Sequence, residues 1–361
     1  MFACRQISLT YFRNYSFSSF NFSRNIIGIS GKNGSGKTNL LDAIYYLCFT
    51  KSSFNRPDQQ SVKNDYTGFR IEGGFEQPSQ EIKKIVCILR ENNRKEFSVN
   101  DEAYQRFSEH IGKFPCIMIA PDDIALISGG SEERRKFIDS LISQLQHDYL
   151  EQLIAYNKIL QQRNSFLKFV AERNSYDESL LEILNNQLLE KGNFIYERRK
   201  QFLYNFLPLV LQQYIAIAEN DDKLILKYES QLNSQSFEEL LVENFQRDLY
   251  LQRTGSGIHK DDVLIELQQS NFKNIASQGQ RKSLLFAFKL SAFEILKKNK
   301  GFAPILLLDD VFEKLDEKRM ENLLDYVCVQ SGAQVFITDT HKERLQQAFV
   351  KTGKDYDLIE L

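Results

Sequence analysis

No stretch of this chain is apolar over anything near the roughly 20 residues that a membrane-crossing helix needs. Its opening, Met1-Phe2-Ala3-Cys4-Arg5-Gln6, carries no signal-peptide core, so a cytoplasmic location without membrane association is expected. Cysteine is sparse and scattered: Cys4, Cys48, Cys87, Cys116 and Cys328 form no C-x-x-C pair, which argues against a disulfide framework and a zinc site. Cys48 and Cys116 lie in apolar runs and read as core residues. The four histidines are dispersed, with only His259 and His341 in informative company. Neither sign of charge dominates. Lys+Arg number 46 against 48 Asp+Glu, a net charge of −2, and this argues mildly against a general nucleic-acid binder. Basic residues do cluster at Arg134-Arg135-Lys136, Arg198-Arg199-Lys200 and Lys297-Lys298 with Lys300; each cluster reads as a solvated helix face or a phosphate contact.

What the chain does have begins with Gly31-Lys32-Asn33-Gly34-Ser35-Gly36-Lys37-Thr38, which fits G-x-x-x-x-G-K-[ST] at every position. The apolar run Asn25–Ile29 precedes it with strand length. Leu40, Leu41, Ile44, Leu47 and Cys48 follow it at helical spacing, so a helix is predicted from about Lys37. Glycines let backbone N–H groups converge on an anion, and the helix start adds the positive end of its dipole. Lys37 is expected to reach the β- and γ-phosphates of ATP, and the Thr38 hydroxyl to ligate Mg²⁺.

Near the other end, Pro304 leads into Ile305-Leu306-Leu307-Leu308 and then Asp309-Asp310. A continuous apolar run of this length reads as a strand of a parallel sheet buried on both faces, with its acids at the carboxyl end where ligands bind. Asp309 is the expected Mg²⁺ partner through water, and Asp310 the residue that orients or deprotonates the attacking water. A third piece, Ser277-Gln278-Gly279-Gln280, precedes a helical stripe of Leu284, Leu285, Phe288 and Ala292. Ser277, Gly279 and Gln280 at a helix start make a second anion site. Two chains placed head to tail can bring it to the nucleotide held by the first loop, which points to an ATP-dependent homodimer.

The order of phosphate loop, S-x-G-Q, apolar strand with two acids and Leu315-Asp316 resembles that of ABC-type ATPases. More narrowly, Leu9-Thr10-Tyr11-Phe12-Arg13-Asn14-Tyr15, Pro121-Asp122-Asp123, Gly129 to Asp139, and Gly257-Ile258-His259-Lys260-Asp261-Asp262 resemble stretches of the RecF family from one end of the chain to the other. Ile258 departs from the usual proline of that last motif, and Lys314 stands before Leu315-Asp316 where an acid is frequent. Asp310 occupies the position where transporters use Glu; an Asp is one methylene shorter, so slow hydrolysis is expected.

The resemblance implies an ATP-dependent DNA-binding protein of recombinational repair and replication-fork maintenance, with slow, DNA-stimulated ATPase activity. Its implied partners are single-stranded and double-stranded DNA at gaps or junctions, and recombination mediator proteins that help load the recombinase. It also implies adenine contacts near Arg13 and Asn14, and a γ-phosphate sensor among Thr338, Asp339 and His341. The alternative reading is the ATPase subunit of an ABC membrane transporter, which predicts a coupling groove and a short helical subdomain.

The expected fold class is α/β: an ABC-type P-loop ATPase head with mixed sheets plus an inserted helical lobe. Residues 1–124 read as the N-terminal part of the head, 125–255 as a mainly helical lobe, and 256–361 as the C-terminal part. In the lobe, Phe137, Ile138, Leu141, Ile142 and Leu145 predict a helix capped by Ser131. Leu150–Val170 and Leu180–Leu207 predict two longer helices, separated by a capping box at Asn174–Glu178 and with Pro208 interrupting the second.

Overall fold

The structure, a computed structural model, describes residues 1–54, 56–173, 178–313 and 317–361. The capping box predicted at Asn174–Glu178 therefore falls almost wholly outside the described residues, as does Lys314-Leu315-Asp316. The chain divides into two units, one of Met1–Ile124, Gln213–Glu219 and Gln278–Leu361, the other of Ala125–Gln212 and Asn220–Ser277.

The first unit opens with β1 (Ala3–Thr10), β2 (Phe17–Asn21), β3 (Ile26–Ser30), α1 (Lys37–Phe49), β4 (Phe69–Glu76), β5 (Ile82–Leu89), β6 (Lys95–Val99), β7 (Glu102–Ala103) and β8 (Cys116–Ile119). The second unit carries α2 (Ser131–Leu145), α3 (His147–Arg173), most of α4 (Glu178–Ala218), β9 (Leu224–Glu229), α5 (Phe237–Glu243), α6 (Phe245–Leu251), β10 (Asp262–Leu267) and β11 (Ser270–Asn271). The first unit then resumes with α7 (Gln278–Lys300), β12 (Ile305–Leu308), α8 (Glu317–Leu324), β13 (Val335–Asp339), α9 (Lys342–Thr352) and β14 (Tyr356–Glu360).

Two sheets build the first unit. One is antiparallel in the order β2-β1-β4-β5-β6-β7; the other is parallel in the order β14-β3-β13-β12-β8. As the unbroken apolar run predicts, every residue of β12 is buried. Leu40, Leu41, Ile44 and Leu47 of α1 are fully buried in a core shared with both sheets, each contributing about 1.5–3 kcal/mol. A buried amide joins the sheets: Gln334 Oε1 accepts the Cys4 N–H at 2.7 Å, and its Nε2 donates to the Cys4 carbonyl at 2.8 Å. That pairing satisfies one edge of β1 just before β13 starts, where an unpaired backbone would otherwise be buried.

The second unit is not wholly helical. β9, β10 and β11 form an antiparallel sheet in the order β11-β10-β9, so the strand after residue 256 pairs with one before it, and the chain passes back to the first unit only at Gln278. Two further expectations are corrected. Ser131 is the first residue of α2 rather than its cap; Gly130 holds the cap position with no side-chain bond, and Glu132 and Glu133 supply the acids of the first turn. Pro208 lies inside α4, which runs on to Ala218. Burial of Val210 and Tyr214 beyond the proline outweighs the roughly 3 kcal/mol cost of the missing N–H and the ring clash.

Candidate nucleotide-binding site

β3, β13 and β12 are consecutive in the parallel sheet, and their carboxyl ends supply three parts of one site. From β3 the chain enters the Gly31–Thr38 loop, and α1 starts at Lys37. Gly36 is the N-cap of α1 at φ 115 with no side-chain cap, so the first-turn N–H groups are left directed toward an anion. A Cβ at Gly36 would lie 2.7 Å from both Asn14 Nδ2 and Tyr15 Oη, whereas one at Gly34, φ 82, would meet nothing within 4 Å. The loop is thus tightly backed on one side and open on the other. Lys37 Nζ donates to Gly31 O at 2.8 Å and Lys32 O at 3.2 Å, folded beneath its own loop.

The bracing side chains come from the segment after β1. Asn14 Nδ2 donates to Ser35 O at 2.9 Å, Tyr15 Oη donates to Gly36 O at 3.0 Å, and Asn39 Nδ2 donates to Asn14 Oδ1 at 2.8 Å. Arg13 reaches the fully buried Asp42 of α1 at 3.0 Å and Ser52 Oγ at 3.0 Å. Arg13 and Asn14, expected near adenine, also brace the loop and the first turns of α1. Sequence reasoning missed this role; the signal was the polar Arg-Asn-Tyr run ending a strand beside a glycine-rich loop that needs a support.

At the end of β12, Thr38 Oγ1 donates to Asp309, 2.8 Å from Oδ2 and 3.0 Å from Oδ1. This contact joins motifs 271 residues apart in the chain. Burial pushes the Asp309 carboxyl up from its ordinary value, and the hydroxyls of Thr338 and Thr38 oppose that shift. Asp310 has a left-handed backbone, φ 46, and its N–H donates to Thr338 Oγ1 at 2.9 Å.

The three candidate γ-phosphate sensors separate by environment. Thr338 is fully buried and hydrogen-bonded to both acids' positions. Asp339, also buried, accepts the His341 N–H at 2.6 Å and pairs with Arg344 at 2.6 Å. His341 is the N-cap residue of α9, and its side chain is 68% exposed.

Ser277 is exposed and immediately precedes α7, while Gly279 and Gln280 lie in the first turn of that helix. The predicted stripe of Leu284, Leu285, Phe288 and Ala292 is buried. Farther along, Lys289 Nζ donates to Met118 O and pairs with Asp123, both at 2.8 Å, anchoring α7 to the end of β8.

In the two basic clusters of the second unit, Arg134 and Arg199 are held in structural ion pairs, whereas Lys297 of the third cluster, in the first unit, donates to Ser331 O. Arg134 grips both oxygens of Asp262 at 2.6 and 2.9 Å, and Arg199 bonds Asp139, Asp261 and Ile258 O. His259 is likewise committed, Nδ1 to Tyr156 Oη at 2.8 Å and Nε2 to Thr254 O at 3.0 Å. The Gly257–Asp262 motif is thereby the junction that ties α2, α3 and α4 to β10.

For Mg²⁺, the donor set fits. The Thr38 hydroxyl and the Asp309 carboxylate already converge, and Mg²⁺ bound with phosphates takes only one or two protein ligands. Among the described residues no cluster of three or more His, Cys, Asp or Glu could hold a metal alone. For phosphates, Ser35 Oγ, buried inside the loop, has no hydrogen-bond partner among the described residues.

This fold and this set of motifs define an ABC-type P-loop ATPase head with an inserted helical lobe. Residues 3–355 match the family described as RecF/RecN/SMC N terminal domain. The chain is 43% identical to the DNA replication and repair protein RecF of Flavobacterium johnsoniae, over 99% of each chain. A solved structure of the recombination mediator protein RecF with ATP, in the RecFOR pathway, superposes with a TM-score of 0.87 at 31% identity, over 94% of this chain and 92% of that one. The Smc head domain of Pyrococcus furiosus shares the fold alone, at a TM-score of 0.55 and 16% identity over 96% and 92% of the two chains. The chain belongs to the RecF family of DNA replication and repair proteins.

Proposed function

We propose that this chain is an ATP-switched DNA-binding protein of recombinational repair and replication-fork maintenance. ATP binding joins two copies head to tail, the dimer holds single-stranded or double-stranded DNA at gaps or junctions, and slow hydrolysis releases it. Recombination mediator proteins are its partners in recombinase loading. The observation that carries the nucleotide part is the Thr38–Asp309 contact, which brings phosphate loop and acidic strand end into one site. A solved structure of RecF with ATP in the RecFOR pathway, and relatives named for DNA replication and repair, support nucleotide binding and the repair setting; the dimer, its DNA and the timing of release rest on the family resemblance.

The residue roles follow. Gly31, Lys32, Asn33, Gly34, Ser35 and Gly36 offer backbone N–H groups to the phosphates, and Lys37 exchanges its loop carbonyls for phosphate oxygens. Thr38 and Asp309 hold Mg²⁺, which when bound neutralises phosphate charge. Asp310 orients the attacking water. Ser277, Gly279 and Gln280 of one copy complete the site of the other.

Lys37→Ala tests the reading. ATP affinity and ATP-dependent DNA binding should fall together, measured by nucleotide titration and by DNA anisotropy with and without ATP. Undiminished ATP-dependent DNA binding by the variant would refute the site. DNA should also raise ATP turnover, to which a transporter subunit would be indifferent.

A further inference from the structure

Thr338 does two things with one hydroxyl. Its Oγ1 donates to Asp309 Oδ1 at 2.8 Å and accepts the backbone N–H of Asp310 at 2.9 Å. It is fully buried on β13, beside β12 in parallel register, with Leu308 opposite Ile337. A hydroxyl can serve as donor and acceptor at once, and here each role is filled by one member of the acidic pair. Asp310 sits at φ 46, a left-handed conformation that Asp tolerates better than most residues, and the bond from its N–H to Thr338 Oγ1 helps hold it there. Asp309 is anchored on the opposite side by its own N–H, which donates to Ile119 O at 2.9 Å.

We infer that Thr338 is a positioning residue for the acidic pair: it fixes the Asp309 carboxylate toward Thr38 and locks the Asp310 backbone in the turn that aims its side chain. This assigns it a role different from that of a γ-phosphate sensor. A sensor touches the nucleotide and sets its affinity, whereas Thr338 acts through Asp309 and Asp310. The inference rests on the nucleotide-site reading for its catalytic consequence, but the hydrogen bonds themselves are testable without nucleotide.

The experiment compares Thr338→Val, which keeps the shape and removes both bonds, with Thr338→Ser, which keeps the hydroxyl. In the nucleotide-free protein, hydrogen exchange of the peptide covering Leu308–Phe312 should accelerate in the valine variant by about tenfold, as expected for loss of one buried hydrogen bond, and stay near parent in the serine variant. In single-turnover ATP hydrolysis, the valine variant should lose about tenfold or more in rate, with ATP affinity within about threefold of parent and the serine variant restoring the rate. Weakened ATP binding with an unchanged rate would overturn the inference in favour of a sensor. Parent-like exchange in the valine variant would overturn it outright, whatever the activity. Should Thr338→Val fail to fold, Thr338→Ala removes the same bonds and is read by the same criteria. A failed nucleotide site would appear separately, as Lys37→Ala binding ATP normally while the exchange result at Asp310 still stands.

Discussion

In the core beneath α1, His110 Nε2 donates to Leu47 O at 2.7 Å, its ring stacks on Phe114, and its buried Nδ1 has no partner among the described residues. A second proton would sit on Nδ1 with nothing to accept it, and burial accordingly pulls the pKa down to about 4 from 6.5. Between those values the unfolded chain binds a proton that the folded chain refuses, so stability falls as pH drops through about 6.5 toward 4. From pH 7.5 to pH 5 this one residue should remove about 2 kcal/mol. Urea midpoints at the two pH values should show that loss, and His110→Phe should flatten the pH dependence by the same amount. A variant with the parental slope would show that His110 is not the group responsible; His259, held down to about 4 by burial, contributes with the same sign. The other prediction at this scale concerns Asp310. Asp310→Asn should keep ATP bound while removing the carboxylate that positions water, so the ATP-bound dimer should outlast that of the parent protein. Turnover at the parental rate in a steady-state assay would remove Asp310 from that role.

At the scale of elements, the helices of the second unit are held by a buried charge. Arg163 of α3 donates to Asp248 of α6 at 2.7 Å and to Thr254 Oγ1 at 2.8 Å, and its Nε donates to Asn185 Oδ1 of α4 at 2.8 Å. Both members of the ion pair have wholly buried side chains. Arg163→Met strands Asp248 without its counter-charge and should cost about 3–5 kcal/mol. The double variant with Asp248→Leu should cost less than the sum of the two single changes, read by denaturant unfolding. Additive losses would mean that the pair is not coupled. None of this pairing was legible in the sequence: Arg163 and Asp248 sit 85 positions apart in ordinary helical polar patterns, and a buried charge looks like an exposed one until its partner is placed. The same blindness made Arg134 and Arg199 resemble surface cations. Elements whose chemistry is local were legible. The glycine loop, the all-apolar β12 with its two acids, and the stripe of α7 each carry their own pattern within a dozen residues. The bracing of the loop by Asn14 and Tyr15 was only faintly legible: the Arg-Asn-Tyr run is visible, but its bonds go to backbone carbonyls, which name no partner in a sequence.

For the whole molecule, the proposed switch requires that each copy finish the other's site. Ser277 is exposed just before α7, which leaves room for a larger side chain there. Ser277→Arg should therefore leave ATP binding by each monomer near parental strength while blocking the close approach of two copies. Light scattering should report a monomer at saturating ATP, and DNA binding should weaken. Mixing this variant with Lys37→Ala chains gives a sharper test. In a mixed dimer, the Lys37 loop of the first chain meets the unaltered Ser277 of the second, and that site is intact. The remaining site combines the arginine with the missing lysine and is doubly damaged. Neither variant alone contains an intact composite site, so ATP turnover that is low in each preparation and partly recovers on mixing requires sites shared between chains. If Ser277→Arg dimerises with ATP as readily as the parent, or if mixing restores nothing while both variants remain folded, the head-to-tail arrangement is wrong and the nucleotide must be completed within one chain.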